Sequence, residues 1–446
     1  MGRSTTCLIL AVVIAAFSVS VQAAGNKWET NAASENAASQ GLEWLAKNQG
    51  KEGNWGSQDL GLVAVGALAF LSDGNTPETG KYRENVRKAL DYILANAKPS
   101  GMLNITGDRR DMYNHGLATF VLTQAYGMSN DKRLGRTLRK AVKLIVDVQC
   151  KDGGWDYVGA RQDKGHDLSL AVMQAKALRG SMDIGIHIPS DTIAMAIKSV
   201  QGYYRSKRGK ADKLADKYGW KQEDARYPGR FTYNGGSGTT AMAAAGAVCL
   251  QEFGQYGDYR IRRSINGVLD DIKKRMKKTP GRMPFDAYTM YYVAQGLYQV
   301  GGDLWVEGYP LIRDAIVETQ VRKSAKGGAA VEDYGSWSGS RVGGTPGKMF
   351  ATAVAVFSLN IPNRYLPILQ EGKHGRTRRR SPRAFHKGDT NDTNDTNDKS
   401  DKKTPEPRSV KYAADAGRTI KLAIKSKSAV TPGSELDSKK RKALTK

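Results

Sequence analysis

Two kinds of helical segment alternate along this chain, and the alternation restricts its fold more than any other feature. One kind is amphipathic and basic, as in "VRKALDYILANA", "LRKAVKLIVDVQ" and "IRRSINGVLDDIKKR". Its apolar residues recur at helical spacing and its charges fall on the opposite face. The other kind is apolar nearly all round and rich in small residues, as in "LGLVAVGALAFL", "TTAMAAAGAVCLQEFG" and "MFATAVAVFSLN". A helix without a polar face has to be enclosed by protein on every side. Small side chains then allow its neighbours to approach closely.

The apolar runs are followed by Gly74, Gly127, Gly180, Gly254 and Gly301, the first three of which stand 53 residues apart. All five are read as left-handed C-caps. The fourth unit is longer, and the excess is the polar insertion from Ser206 to Arg230. Helix pairs repeating near this period mark a repeat architecture. Six apolar helices ringed by six amphipathic ones can close on themselves and leave no terminal repeat exposed. The expected fold is therefore all-α: a single α6/α6 toroid of twelve main helices over residues 32–369, with essentially no sheet.

Two amphipathic helices end alike, in "NQGKEGNWG" and "QCKDGGWDY". The Gln is placed to hydrogen-bond loop backbone, the Gly to turn tightly, and the Trp to pack over a neighbouring pair while donating its N–H. These residues are Gln49, Gly53 and Trp55, then Gln149, Gly153 and Trp155, with degenerate versions at Gly101 and from Gly335 to Trp337. They resemble the QW motif of the terpenoid cyclase and protein prenyltransferase toroid superfamily. The resemblance covers about Ala32 to Leu369. Through "DMYNHGLATFVLTQAYG", "AYTMYYVAQGLYQVGGDLW" and "MFATAVAVF" the chain also resembles exported squalene-cyclase-like repeat proteins of planctomycete-type bacteria.

A fold does not carry an activity with it, and the superfamily's chemistries find no matching residues here. The Asp-x-Asp-Asp acid of squalene-type cyclases is missing; "LDDIK", Leu269 to Lys273, is nearest and lies on a basic outer helix expected to face water. Cyclases of this kind also line a cavity with aromatic rings to stabilise carbocations. The zinc set of Asp, Cys and His used by prenyltransferases has no counterpart, since Cys249 lies well inside its helix. The thioester Cys-Gly-Glu-Gln is absent as well. No metal or other cofactor is expected. Cys150 and Cys249 read as buried apolar fillers.

The inner helices begin together at one mouth of the barrel, where their N-terminal amides favour anionic groups. Asp59, Tyr113, Asn114, His115, His166, Asp167, Thr239, Thr240, Asp286, Tyr288, Tyr291 and Lys348 are placed around this rim as ligand-binding candidates. His115, His166, Asp167 and Tyr288 are the candidate catalytic residues, a His and a Tyr serving as base and acid. The competing reading makes the Asp, Asn and Thr residues N-caps and the Tyr residues packed core.

Both termini are read separately from residues 24–370. Arg3, the apolar run Cys7 to Val21 and the small residues up to Ala23 form a cleavable export signal over residues 1–23. From Glu371 to Lys446 there are 21 Lys or Arg against 10 Asp or Glu, within a chain of net charge +25. Too few large apolar residues accompany them to build a core, so this segment is expected to be a basic, low-complexity, disordered tail. In an exported protein its partners are anionic envelope polymers or lipid head groups rather than nucleic acid. The expected function is a periplasmic or extracellular binding or scaffolding module that holds an unidentified ligand. The alternative is an enzyme acting on a terpenoid or uronate-type substrate through the rim His and Tyr residues.

Overall fold

The computed structural model describes residues 28–105, 110–129, 131–206, 229–236, 238–322, 331–339 and 347–370. The expected export signal, most of the insertion and the tail lie outside these residues. Six inner helices are α2 (Leu60–Ser72), α4 (Asp111–Gly127), α6 (Leu168–Asp183), α8 (Thr240–Glu252), α10 (Ala287–Val300) and α12 (Gly347–Asn360). They alternate with six outer helices, α1 (Ala32–Lys47), α3 (Arg83–Ala95), α5 (Lys132–Asp147), α7 (Ser190–Gly202), α9 (Tyr259–Lys278) and α11 (Gly302–Glu318). Each inner helix packs on the next, from α2 through α4, α6, α8 and α10 to α12, and α12 returns to α2. The outer helices lie against this closed ring. The fold is an all-α α6/α6 toroid.

Local sequence explains the two layers. In α5, Leu134, Leu138, Ala141, Val142 and Ile145 are buried on one face, and Asp131 caps the helix by accepting the Arg133 amide at 3.0 Å. Every residue of α2 is buried. Such a helix depends on its neighbours for all its stability, because it has no face that water would solvate favourably.

One expectation is corrected here. Gly74, Gly254 and Gly301 adopt positive φ, but Gly127 and Gly180 lie within their helices and cap nothing. They serve close approach instead. A Cβ on Gly180 would stand 2.1 Å from Thr123 Oγ1 of α4, and one on Gly127 would stand 3.0 Å from Pro367. Among the described residues there is almost no sheet, as expected. A ribbon of β1 (Tyr204–Ser206) and β2 (Gly229–Phe231) pairs antiparallel at the two ends of the insertion. It is anchored because Phe231 is buried, meets the Tyr204 ring at 5.3 Å and fills the space left by Gly246 of α8.

The repeated Gln–Gly–Trp residues join adjacent outer helices. Gln149 Nε2 donates to Gly153 O at 3.0 Å and to Thr192 O of α7 at 2.9 Å, while Trp155 Nε1 donates to Ile145 O at 2.9 Å. Gln49 and Trp55 repeat this with Gly53, Asn85 of α3 and Leu45. Gly153 is needed twice over. Its φ is +87°, and a Cβ would stand 2.2 Å from Met195 O of α7. In the degenerate version Trp337 Nε1 donates to Ile316 O at 2.7 Å, and the Gln is Gln320.

Gln320, the glutamine of the third staple, is not apparent from the sequence because 15 residues separate it from Gly335.

The end of the barrel away from the inner-helix N-termini is covered by the chain that leaves α12. Tyr365 packs on Gly74 and Pro367 on Gly127. In the short helix α13 (Pro367–Gln370), the Ile368 amide donates to Gln124 Oε1 at 3.0 Å, and Leu369 O accepts the Tyr298 hydroxyl. The N-terminal residues close the same seam. Glu29, with a fully buried side chain, meets Arg364 at 3.0 Å and accepts Trp305 Nε1 at 2.7 Å.

Candidate functional site

The mouth is assembled from the loops that feed the inner helices. Asp167 caps α6, its Oδ1 accepting the Ser169 amide at 2.8 Å and the Leu170 amide at 3.3 Å. Its second oxygen, Oδ2, lies 2.7 Å from His166 Nδ1. The carboxylate is buried whereas the His166 side chain is 52% exposed. An imidazole held through Nδ1 by a carboxylate presents Nε2 outward. Its ring stands edge-on to Tyr157 at 4.9 Å, and the Tyr157 hydroxyl lies 2.9 Å from that of Tyr233. Tyr233 is exposed, so His166, Tyr157 and Tyr233 form an accessible polar and aromatic surface.

Behind this surface aromatic side chains project into the bore. Tyr113 of α4 and Tyr292 of α10 project from opposite sides of the ring, and their hydroxyls lie 3.4 Å apart. Tyr288 and Tyr291 stand edge-on to Tyr292, at 5.0 and 5.2 Å, and Tyr291 packs on Phe357 of α12. Burial raises the pKa of Tyr113, Tyr288, Tyr291 and Tyr292 above the ordinary phenol value. At neutral pH they are phenols, able to donate hydrogen bonds and unable to act as bases. Further along the axis the buried Lys176 of α6 reaches Glu252 of α8 at 3.4 Å, hydrogen-bonds Gln295 of α10 and lies 4.4 Å from the centre of the Phe120 ring. Burial lowers the Lys176 pKa, against the opposing effect of Glu252.

The rim residues therefore divide. His166, Asp167 and Tyr288 remain at the mouth, but His115 does not join them. It is completely buried, with Nδ1 accepting the Leu103 amide at 3.0 Å and Nε2 3.0 Å from the Ala141 carbonyl of α5. The ring faces the outer layer, and desolvation lowers its pKa to about 4. It is a neutral packing residue. Asp59, Thr239 and Asp286 are N-caps of α2, α8 and α10. Burial raises the pKa of Asp59, partly offset by Arg110. Asn114 is buried and bonded to Asn104, Thr240 donates to Asp271, and Lys348 is paired with Asp333. In "LDDIK", Asp270 is exposed as expected. Asp271 is instead half-buried and takes both Arg230 and Thr240.

Tyr157, Tyr233 and Tyr292 are functional candidates beyond the rim set expected from sequence. Tyr157 follows the second staple by two residues, so the position of Trp155 already sends it toward the mouth. Tyr233 follows the insertion, where helical periodicity carries no information. Among the described residues no group of three or more His, Cys, Asp or Glu is arranged to hold a metal ion. Cys150 and Cys249 are buried thiols that form no disulfide, and desolvation raises the pKa of both. The described helices include none long and apolar enough to cross a membrane.

No family model matches the chain, and no curated protein matches it. Several solved structures are similar in chain path. A variant of the type II terpene cyclase MstE from Scytonema, in complex with geranylgeranyl dihydroxybenzoate, is 15% identical with a TM-score of 0.47, over 75% of this chain and 98% of that one. Cellobiose 2-epimerase from Bacillus thermoamylovorans is 12% identical with a TM-score of 0.49, over 74% and 98% of the two chains. An inactive variant of an α-1,6-mannanase from Salegentibacter, in complex with α-1,6-mannotriose, is 12% identical with a TM-score of 0.44, over 77% and 100%.

Proposed function

We propose that this chain is an exported toroid that works as a binding module at the cell envelope. Its ligand sits on the mouth surface of His166, Tyr157 and Tyr233, and its basic tail adds attachment to anionic polymers or head groups. The observation that carries this reading is the contact between the Tyr113 and Tyr292 hydroxyls across the bore, 3.4 Å apart. A substrate buried along the axis would have to displace those rings together with the Lys176 cluster. A ligand on the rim displaces nothing. Stacking on the exposed aromatic groups and hydrogen bonds from phenols and imidazole suit a polyhydroxylated partner.

The test is untargeted mass spectrometry of lipids and glycans that copurify with the protein. The wild type should retain a ligand that the His166→Ala/Tyr233→Ala double variant releases, while both keep the same melting temperature. Identical retained material in the two proteins would defeat the mouth assignment.

One observation favours a second reading, in which the mouth is catalytic on a terpenoid or uronate-type substrate. A buried carboxylate 2.7 Å from Nδ1 of an exposed imidazole is the pairing that makes Nε2 a competent general base. Under this reading the wild type converts the copurified compound or a polyuronate into a new product, and His166→Ala abolishes the conversion.

A further inference from the structure

A second surface near the mouth differs in character from the aromatic one. Arg230 of β2, Lys274, Arg275 and Lys278 of α9, and Arg282 beyond it line a cleft of about 680 Å³. Asp271 lines the same cleft, and its Oδ2 accepts both Arg230 Nη1 at 2.9 Å and Thr240 Oγ1 at 2.7 Å. That carboxylate is therefore engaged. Lys274, Lys278 and Arg282 are exposed. Arg275 is held in place, donating to Pro284 O at 3.3 Å with its guanidinium 4.8 Å from the Phe285 ring.

Packing needs do not account for this convergence. Lys273, on another side of α9, pairs with Glu307 of α11 at 2.5 Å, which is an ordinary surface ion pair. Favourable interaction with the C-terminal end of the helix dipole explains charge in the last turn of α9. It does not reach Lys274, whose repulsion from Lys278 four residues on is offset by Asp270 four residues before it. Nor does it explain Arg230 and Arg282, which arrive from two other segments. Cations gathered around one cavity raise the local concentration of an anion.

Tyr233 follows Arg230 by three residues, so their Cα atoms are at most roughly 10 Å apart. The cationic cleft and the exposed aromatic surface are thus near neighbours on one segment. We propose that this cleft binds an acidic polysaccharide, whose carboxylates lie among Lys274, Arg275, Lys278 and Arg282 while an adjoining sugar ring stacks on Tyr233 and His166. The proposal rests on the mouth reading and names the ligand class for it. Nine of the twelve residues lining the cleft carry a charge or a hydroxyl group, which suits a hydrated, acidic polymer.

The experiment uses the full-length protein with polygalacturonate as the probe and neutral dextran, a single-stranded oligonucleotide and phosphatidylglycerol vesicles as comparisons, followed by titration calorimetry. The wild type should prefer polygalacturonate, and K274E/K278E/R282E should weaken that binding by about tenfold or more. A second variant, R136E/R139E/K140E, makes the same charge change on the exposed face of α5 and should alter affinity less than about twofold. Both variants should melt as the wild type does. Equal losses in the two variants, no loss in the first, or preference for oligonucleotide or vesicle would overturn the proposal. If the cleft variant still binds polygalacturonate while His166→Ala/Tyr233→Ala releases the copurified ligand, the mouth reading stands and the cleft does not.

Discussion

Gln320, just beyond α11, donates its side-chain Nε2 to the main-chain oxygen of Ala37 in α1, 2.9 Å away. The same nitrogen bonds Gly335 O at 3.0 Å, so one amide ties the last repeat to the first. Gln49 and Gln149 make the equivalent pair of bonds between consecutive repeats. Ring closure thus uses the same device as repeat stacking.

Gln320→Ala should cost about 1–3 kcal/mol, because two buried carbonyls lose their donor. Urea unfolding measures the total, and hydrogen exchange locates it. Amides of α1 should lose protection before those of α6. Uniform loss around the ring would mean that Gln320 is one contact among many and not the seam.

Trp155→Ala should destabilise the whole toroid by about 3–5 kcal/mol. The ring is 1% exposed and its N–H is bonded to Ile145 O. A variant that melts at the wild-type temperature would contradict the packing role.

Gly153→Ala should be comparably severe for a different reason. The residue has φ +87°, and the new methyl would lie 2.2 Å from Met195 O. Backbone strain alone costs on the order of 1–3 kcal/mol, and α7 has to move in addition. Gly56 is the control, since its φ of +74° imposes the strain while nothing lies within 4 Å of a Cβ. Equal losses at the two positions would remove the steric part of the argument.

His115 makes stability depend on acid. Its folded pKa is lowered from the ordinary 6.5 to about 4, so between those values the unfolded chain binds the proton and the native state does not. The stabilisation is complete above pH 6.5 and falls as the pH drops toward 4, by about 3 kcal/mol in total. Protonated Nδ1 can no longer accept the Leu103 amide. His115→Gln should be less stable than the wild type at pH 7 and lose less between pH 7 and 4. Parallel pH profiles would place the titration elsewhere.

Deleting residues 371–446 should leave the melting temperature almost unchanged, because the far end is already covered by Tyr365, Pro367 and Ile368. Adsorption to anionic vesicles should weaken, and that of the full chain should fall with salt, since exposed charges are screened over about 8 Å at physiological ionic strength. A large drop in melting temperature on deletion would show that the tail folds against the barrel.

The layers and their closure were legible because helical periodicity separates an enclosed helix such as α2 from a one-sided helix such as α5. The staples at Trp55 and Trp155 were legible because all their parts are local in sequence. Gln320 escaped because its loop is long, and Gly127 and Gly180 were misread because close helix approach and capping select the same residue. The direction of His115 was not legible at all. On a helix buried on every side, no polar stripe distinguishes the residue that faces the axis from the one that faces the outer layer. Tyr113 and Tyr292, 179 positions apart, meet only because the ring places α4 opposite α10.

The seam at Glu29 bears on how the protein is made. Glu29 precedes α1, yet its partners Trp305 and Arg364 follow it by 276 and 335 residues. Until then α1 and α2 lack α12, the wall they both pack against. A growing chain therefore exposes apolar helix surface for most of its synthesis and cannot lock part-way through. Any product truncated before Arg364 is left without its closing pair.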